Sequence, residues 1–180
     1  MDTYRELFAR IREIRCGENV TVVQPVNLYE CQLGDGVFVG PFVEIQRGVT
    51  IGARTRIQSH TFVCELVTIG SNCFVGHGVM FINDLFREGG PSKTPAGWQA
   101  TIIGDRVSIG SNATILPVHI CSDVVIGAGS VVTRNILEPG VYAGNPARPL
   151  QRKRRGPTAP PQPGQRQEEP HTVYDAHRHD

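Results

Sequence analysis

Residues 51–81 read IGARTRIQSHTFVCELVTIGSNCFVGHGVMF. Ile51, Ile57, Val63, Ile69, Val75 and Phe81 recur every six residues. Neither the helical period of 3.6 nor the strand period of 2 fits that spacing. The beat continues in both directions. Upstream it passes through Cys16, Val22 and Leu28, then Leu33, Val39 and Ile45; downstream it resumes at Ile103, Ile109, Ile115, Ile120, Ile126 and Val132. Glycine often follows the aliphatic, as at Gly34, Gly52 and Gly70. Four residues past each aliphatic stands a small or branched residue such as Val43, Thr55 or Val79. The steps Leu28 to Leu33 and Ile115 to Ile120 are one residue short.

A fixed short period sustained over most of a chain is the mark of a solenoid. Six residues make one short strand and a corner. Three such units close a triangular coil of about 18 residues, and successive coils stack at roughly 4.8 Å. The aliphatic points inward, the following glycine relieves crowding at the turn, and the second small residue fills the wall. The length predicts about five to six coils. An open prism end is a liability. Residues 3–14 are predicted to form an amphipathic helix that plugs it, with Thr3 and Glu6 at capping-box spacing and Tyr4, Leu7, Phe8, Ile11 and Ile14 on one face.

The chain has 180 residues and a formal net charge of +1. That balance offers no electrostatic footprint for nucleic acid or an anionic membrane. No apolar run reaches membrane-spanning length, and the N-terminus lacks the apolar core of a signal peptide, so a cytoplasmic location is expected. The five cysteines, Cys16, Cys31, Cys64, Cys73 and Cys121, include no CxxC pair and read as small reduced core fillers. Residues 1–150 form the predicted domain. From Gln151 the composition turns proline-rich, and 151–180 read as a disordered tail. The basic run Arg152 to Arg155 is either part of a solvated tail or a phosphate contact.

The rhythm breaks once, after VGHGVMFINDLF (Val75 to Phe86). Gly89, Gly90, Pro91, Pro95 and Gly97 exclude regular structure there, and Trp98 is the only tryptophan. An external loop at 84–101 follows, starting directly after the most polar corner of the repeat.

The stretch VVIGAGSVVTRNILEPGVYAGNPARPL (Val124 to Leu150) resembles the terminal signature of hexapeptide-repeat acyltransferases. VNLYEC (Val26 to Cys31), GPFVEIQ (Gly40 to Gln46), IQSHTFVCE (Ile57 to Glu65) and the INDxF match at Asn83 and Asp84 are similar to the branch that N-acetylates the 3-amino group of nucleotide-linked amino sugars for bacterial surface polysaccharides. The resemblance covers residues 16–150. It implies an all-β, left-handed parallel β-helix, a homotrimer, acetyl-CoA as co-substrate, no metal, and a loop reaching over the groove between two subunits.

Acetyl transfer to an amine needs alignment at near-attack distance, a donor for the oxyanion and a proton acceptor. Histidine suits the last task. His60, His77 and His119 lie in the repeat; His171, His177 and His179 lie in the tail. His77 is two residues past inward Val75, and Asn83 two past inward Phe81, so both point outward near corners. The resemblance implies that Asn83 hydrogen-bonds the sugar near its amine. Asp84 either orients that group or caps the loop turn. His77 is the candidate base, although some family members leave the proton to the departing thiolate or water. His60 is expected to contact the sugar or its phosphates. Asn27, Tyr29, Glu44 and Gln46 carry over as substrate contacts, with Tyr29 either stacking on a ring or lying in the trimer interface.

For coenzyme A, the resemblance implies that Gly110, Gly127 and Ala128 let the pantetheine arm lie close. Pro146 then packs on adenine, and Arg148, Arg152 and Lys153 meet the phosphates; alternatively Pro146 and Arg148 merely end the prism. Where many relatives read ILPG, this chain reads ILPVHI, which leaves the direction of His119 open. Three other functions compete: O-acetylation of a sugar or small molecule, a γ-type carbonic anhydrase seeded by His60 and His77, and a non-catalytic scaffold. The expected HxxxxH pair of the carbonic anhydrases is absent around His119.

Overall fold

The computed structural model describes residues 10–150. Its strands sort into three parallel sheets, each one face of a three-sided column. The first face stacks Ile11–Arg12, Asn27–Tyr29, Glu44–Ile45, Phe62–Val63, Met80–Phe81, Thr114–Ile115 and Val131–Val132. The second stacks Arg15–Cys16, Gln32–Leu33, Thr50–Ile51, Val67–Ile69, Thr101–Ile103 and His119–Ile120. The third stacks Thr21–Val22, Phe38–Val39, Arg56–Ile57, Phe74–Val75, Ser108–Ile109, Val124–Ile126 and Gly140–Ala143, and Arg148–Pro149 closes it antiparallel. The chain is thus an all-β parallel solenoid, as the six-residue beat predicts.

Every inward residue of the beat from Leu28 to Val132 is buried. The pleat explains the fit. Each short strand turns one side chain into the column and the next outward, so a single aliphatic per face fills the interior. Buried hydroxyls add cross-links between coils. Thr55 donates to the Gly70 carbonyl at 2.8 Å and Thr61 to the Gly76 carbonyl at 2.9 Å. Among the described residues no buried polar side-chain atom lacks a partner.

The coil count and the N-terminal element differ from expectation. The first face holds 7 strands, so there are about seven coils rather than five to six. The repeat starts before its rhythm becomes legible. Residues 3–9 of the expected helix lie outside the described residues, but 11–14 are not helical. Ile11 and Arg12 pair in register with Leu28 and Tyr29, and Glu13 turns the corner at a φ of 52°. The amides of Leu28 and Glu30 donate to the carbonyls of Arg10 and Arg12 at 3.2 and 3.1 Å. An exposed ladder needs partners, and that pairing outweighs a helical side-chain pattern. At this open end Cys16 is exposed and Val22 half-buried, so Cys16 is not the core filler expected. The tail from Gln151 lies outside the described residues.

Second-face register shows where the loop enters. Ile51, Ile69, Ile103 and Ile120 stack in order. The step from Ile69 to Ile103 is 34 residues against 18 from Ile51 to Ile69, a surplus of 16. Thr101, expected to be the last loop residue, is already a buried strand residue.

Glycine after the inward aliphatic has a steric cause. A Cβ on Gly52 would stand 2.5 Å from the Gly70 carbonyl carbon and 2.6 Å from the Ser71 nitrogen. Gly52→Ala is therefore expected to cost about 1–3 kcal/mol by overpacking, read as a lower urea midpoint. Burial pushes the thiol of Cys31 up to about 11 and that of Cys64 up to about 12. Both stay protonated below those values. Iodoacetamide at pH 8 is expected to label exposed Cys16 and to leave Cys31 and Cys64 unmodified until the protein unfolds.

Candidate active site

The candidate residues gather on the two edges of the first face. The edge shared with the third face is a column of tight turns. Its outer positions hold Pro41, Ser59, His77, Ser111 and Ala128; the positions after them hold Phe42, His60, Gly78, Asn112 and Gly129, all with left-handed φ. Backbone hydrogen bonds climb it. The amides of His60, Gly78, Asn112 and Gly129 donate to Pro41, Ser59, His77 and Ser111 at 2.8–3.2 Å. Side chains therefore lie directly over their counterparts one coil away. Ser59 Oγ and His77 Nδ1 are 2.8 Å apart. The rings of Phe42 and His60 stack at 4.8 Å with 27° between their planes.

The edge shared with the second face is polar. Gln46 Nε2 donates to Glu44 Oε1 at 2.9 Å, and the Glu65 amide donates to Gln46 Oε1 at 3.3 Å. Arg47 pairs with Glu65 at 3.0 Å, and Asn83 Nδ2 donates to the Glu65 carbonyl at 3.2 Å. Arg12 lies 4.3 Å over the Tyr29 ring. Burial, followed by the Glu44 and Glu65 carboxylates, raises the Tyr29 phenol, while Arg12 and Arg47 oppose it. Tyr29 is a protonated donor at neutral pH.

The loop leaves from this edge. The Gln99 amide donates to the Asn83 carbonyl at 2.8 Å, which closes the loop base. Asp84 Oδ2 accepts from the Ser92 amide at 2.7 Å, and Oδ1 accepts from the Phe86 amide and the Ser92 hydroxyl, both at 3.0 Å. Of the two roles open for Asp84, this geometry is the capping one. Trp98 follows a short 3₁₀ turn, Pro95–Gly97, and is half-buried.

The structure thus brings Tyr29, Glu44, Gln46 and Asn83 into one patch, with Asn27 on the same outward row as Glu44. It brings His60 and His77 to the other edge, below Gly110, Gly127 and Ala128. His77 and Asn83 stand at opposite ends of one face. Six residues of extended chain span about 20 Å, so within one chain these two side chains do not meet. Gly110 has a packing reason to be small, since an added Cβ would lie 2.7 Å from the Ala128 Cα. Pro146 lies in the turn after Gly140–Ala143, and Arg148 begins the antiparallel strand that closes the third face, where its Nη1 donates to the Ala147 carbonyl at 2.9 Å. Arg152 and Lys153 lie outside the described residues. His119 points outward from the second face, its amide tied to Asn135 Oδ1 at 2.9 Å. Among the described residues no three His, Cys, Asp or Glu side chains group as a metal site.

Sequence reasoning missed Phe42, Ser59, Arg12, Arg47 and Glu65. A signal was present. Phe42 and His60, Arg47 and Glu65, and Ser59 and His77 are each 18 residues apart, one coil. Pairing polar or aromatic residues at that separation finds three of the edge contacts.

Two family models match this chain: bacterial transferase hexapeptide (six repeats) over residues 30–65, and the hexapeptide repeat of succinyl-transferase over residues 100–134. The bifunctional protein GlmU of Limosilactobacillus fermentum is 37% identical over 105 residues, covering 58% of this chain and 21% of that protein. GlmU of Clostridium novyi is 32% identical over 134 residues, covering 71% and 26%. The chain spans about a fifth to a third of the length of the curated relatives it matches. Among solved structures, a galactoside acetyltransferase in complex with coenzyme A superposes with a TM-score of 0.56 at 28% identity, covering 78% of this chain and 64% of that one. A mutant perosamine N-acetyltransferase from Caulobacter crescentus, with CoA and GDP-perosamine, gives 0.58 at 23% identity over 80% and 58%. Period, column and matches together define a hexapeptide-repeat β-solenoid. Residues 30–65 and 100–134 carry the hexapeptide repeats of bacterial transferases.

The Ser92 and Phe86 amides hold the Asp84 carboxyl below its ordinary value. A depressed carboxylate stabilises the loop above its unfolded value and releases it as pH falls through the folded one. Hydrogen exchange across residues 84–100, taken relative to the intrinsic amide rate at each pH, is expected to hold steady at pH 5 and to become faster relative to that rate as pH drops below 4. Asp84→Asn is expected to give the faster exchange already at pH 7.

Proposed function

We propose that the protein is an acetyl-CoA-dependent N-acetyltransferase acting on the amine, at the 3-position, of a nucleotide-linked amino sugar used for surface polysaccharide. It works in the cytoplasm as a homotrimer. The observation that carries this reading is the partition of His77 and Asn83 onto opposite edges of one face. Each edge holds half of an amine-acylating site, and the halves join when the edge of one subunit lies against the other edge of the next. The resemblance of the INDxF and AGNPAR segments supports it, as do the CoA-bound neighbours and the GDP-perosamine in one of them.

The residues fit the reaction. Acetyl-CoA supplies an acyl group already activated as a thioester, so the chain must bind, align and deprotonate. Nδ1 of His77 is engaged by Ser59. In the tautomer that donates from Nδ1 to the serine oxygen, Nε2 is the proton acceptor for the attacking amine. Asn83, fixed through the Glu65 carbonyl, orients the sugar, Gln46 and Tyr29 offer donor and ring to it, and Glu44 and Asn27 serve its nucleotide. The corners at Gly110, Gly127 and Ala128 lie on the His77 edge without bulky side chains, which suits an extended pantetheine arm. Pro146, Arg148, Arg152 and Lys153 follow the last coil, where its nucleotide end would reach.

His77→Ala and Asn83→Ala are each expected to lower kcat/KM by roughly 100-fold or more in a thiol-release assay with acetyl-CoA and nucleotide-linked amino sugars. Mixed assemblies of the two inactive variants are expected to regain activity, because some sites then pair an intact His77 with an intact Asn83. Near-native rates in either single variant, or a monomer by light scattering, would sink the reading.

A further inference from the structure

Position by position, the left-handed corner column on the His77 edge reads Phe42, His60, Gly78, Asn112 and Gly129, with φ from 58° to 67°. Glycine and asparagine tolerate that conformation, whereas a bulky aromatic does not. Phe42 sits there all the same and is 57% exposed, although one side of its ring lies on His60. The left-handed corner itself is the regular turn of this column, shared by His60, so what sets Phe42 apart is a large ring left more than half uncovered by its own chain and held in place by His60, which offers a stacking surface.

Beside it lies a hollow of about 270 Å³ lined by Pro25, Val26, Asn27, Phe42, Val43 and Glu44. Drug-sized ligands occupy about 300–1,000 Å³, so this hollow suits one flat ring system rather than a whole nucleotide-linked sugar. Its walls are mainly aliphatic and aromatic. Its polar features are a carboxamide and a carboxylate from adjacent coils in register. Gln46 Nε2 steadies Glu44 through Oε1, and among the described residues no donor is bound to Oε2.

We infer that this hollow is the nucleobase subsite of the acetyl-accepting substrate and that it selects guanine. The inference rests on the nucleotide-sugar reading above and adds the place and identity of the base. The Phe42 ring provides the stacking surface. Glu44 meets a base edge with adjacent N–H donors, which guanine presents at N1 and N2. Uracil and thymine flank their single N3–H with carbonyls that a carboxylate repels. Adenine, the other base in the proposed reaction, offers only its amino group on that edge. Asn27 supplies a donor for a ring acceptor. The adenine of coenzyme A belongs at the far end of the column, beyond the last coil.

Calorimetric titration of the full-length protein with GDP, UDP, dTDP, ADP and coenzyme A tests the assignment. GDP is expected to bind tightest of the diphosphates. Phe42→Gly, which relieves the left-handed corner and so keeps the fold, is expected to weaken GDP about 10-fold or more and leave coenzyme A unchanged. Glu44→Gln is expected to erase the preference for GDP over UDP and dTDP. Equal affinities for all diphosphates, no binding by any of them, or an effect of Phe42→Gly on coenzyme A alone would each overturn the assignment. Acetyl transfer with an unaltered KM in Phe42→Gly would refute the subsite and leave the proposed activity standing. Absence of transfer to every amino sugar, with GDP binding still dependent on Phe42, would refute the activity and support the subsite.

Discussion

At each corner of the column the backbone of one coil lies against the backbone of the next, and the rest of the structure is arranged around that contact. The amide of Gly34 donates to Ile51, Gly52 to Ile69, Gly70 to Ile103 and Gly104 to Ile120, each at 2.8 Å. There is no room for a side chain at these positions, which is why glycine keeps step with the inward aliphatics. Because the ladder is parallel and in register, a residue's neighbours are set by how far the chain travels in one coil rather than by local propensity. A side chain on an edge has companions about 18 residues before and after it, and few others.

That geometry makes the three edges separate instruments. The edge between second and third faces is structural. Arg54 donates to Asn72 at 2.8 Å, Arg106 grips Asp123 through two bonds at 2.7 and 2.8 Å, and Asp105 accepts from the Ser71 amide at 2.7 Å. Exposed pairs of this kind add little stability, but they cover turns whose φ is positive. The edge between third and first faces carries stacked rings and a hydroxyl–imidazole pair. The remaining edge carries carboxylates, amides and the loop. Inserting the loop there leaves the ladder intact, because the Thr101 amide returns to the Leu66 carbonyl at 3.0 Å as though nothing had been added.

The interior was legible residue by residue. Leu28 through Val132 are inward because one aliphatic per strand is all that a narrow three-sided interior admits, and periodicity registers that directly. The ends were less so. Ile11 and Ile14 carry a helical pattern, yet 11–12 form a strand because the unpaired edge of the next coil captures them. Candidate site residues such as Glu44, Gln46 and Asn83 stood out as polar groups at outward positions. Phe42, Ser59 and Glu65 did not, because each acquires meaning only from its partner one coil away.

The sequence by itself therefore determined the solenoid, its inward residues and the corner where the loop leaves, since these depend on spacing along the chain. Tertiary structure alone decided that His77 rests on Ser59 and Phe42 on His60, that the Asp84 carboxylate is engaged by its own loop, and that His77 and Asn83 stand at opposite ends of one wall. Those are matters of what lies above and beside a residue once the coils are wound, and winding turns sequence separation into stacking distance.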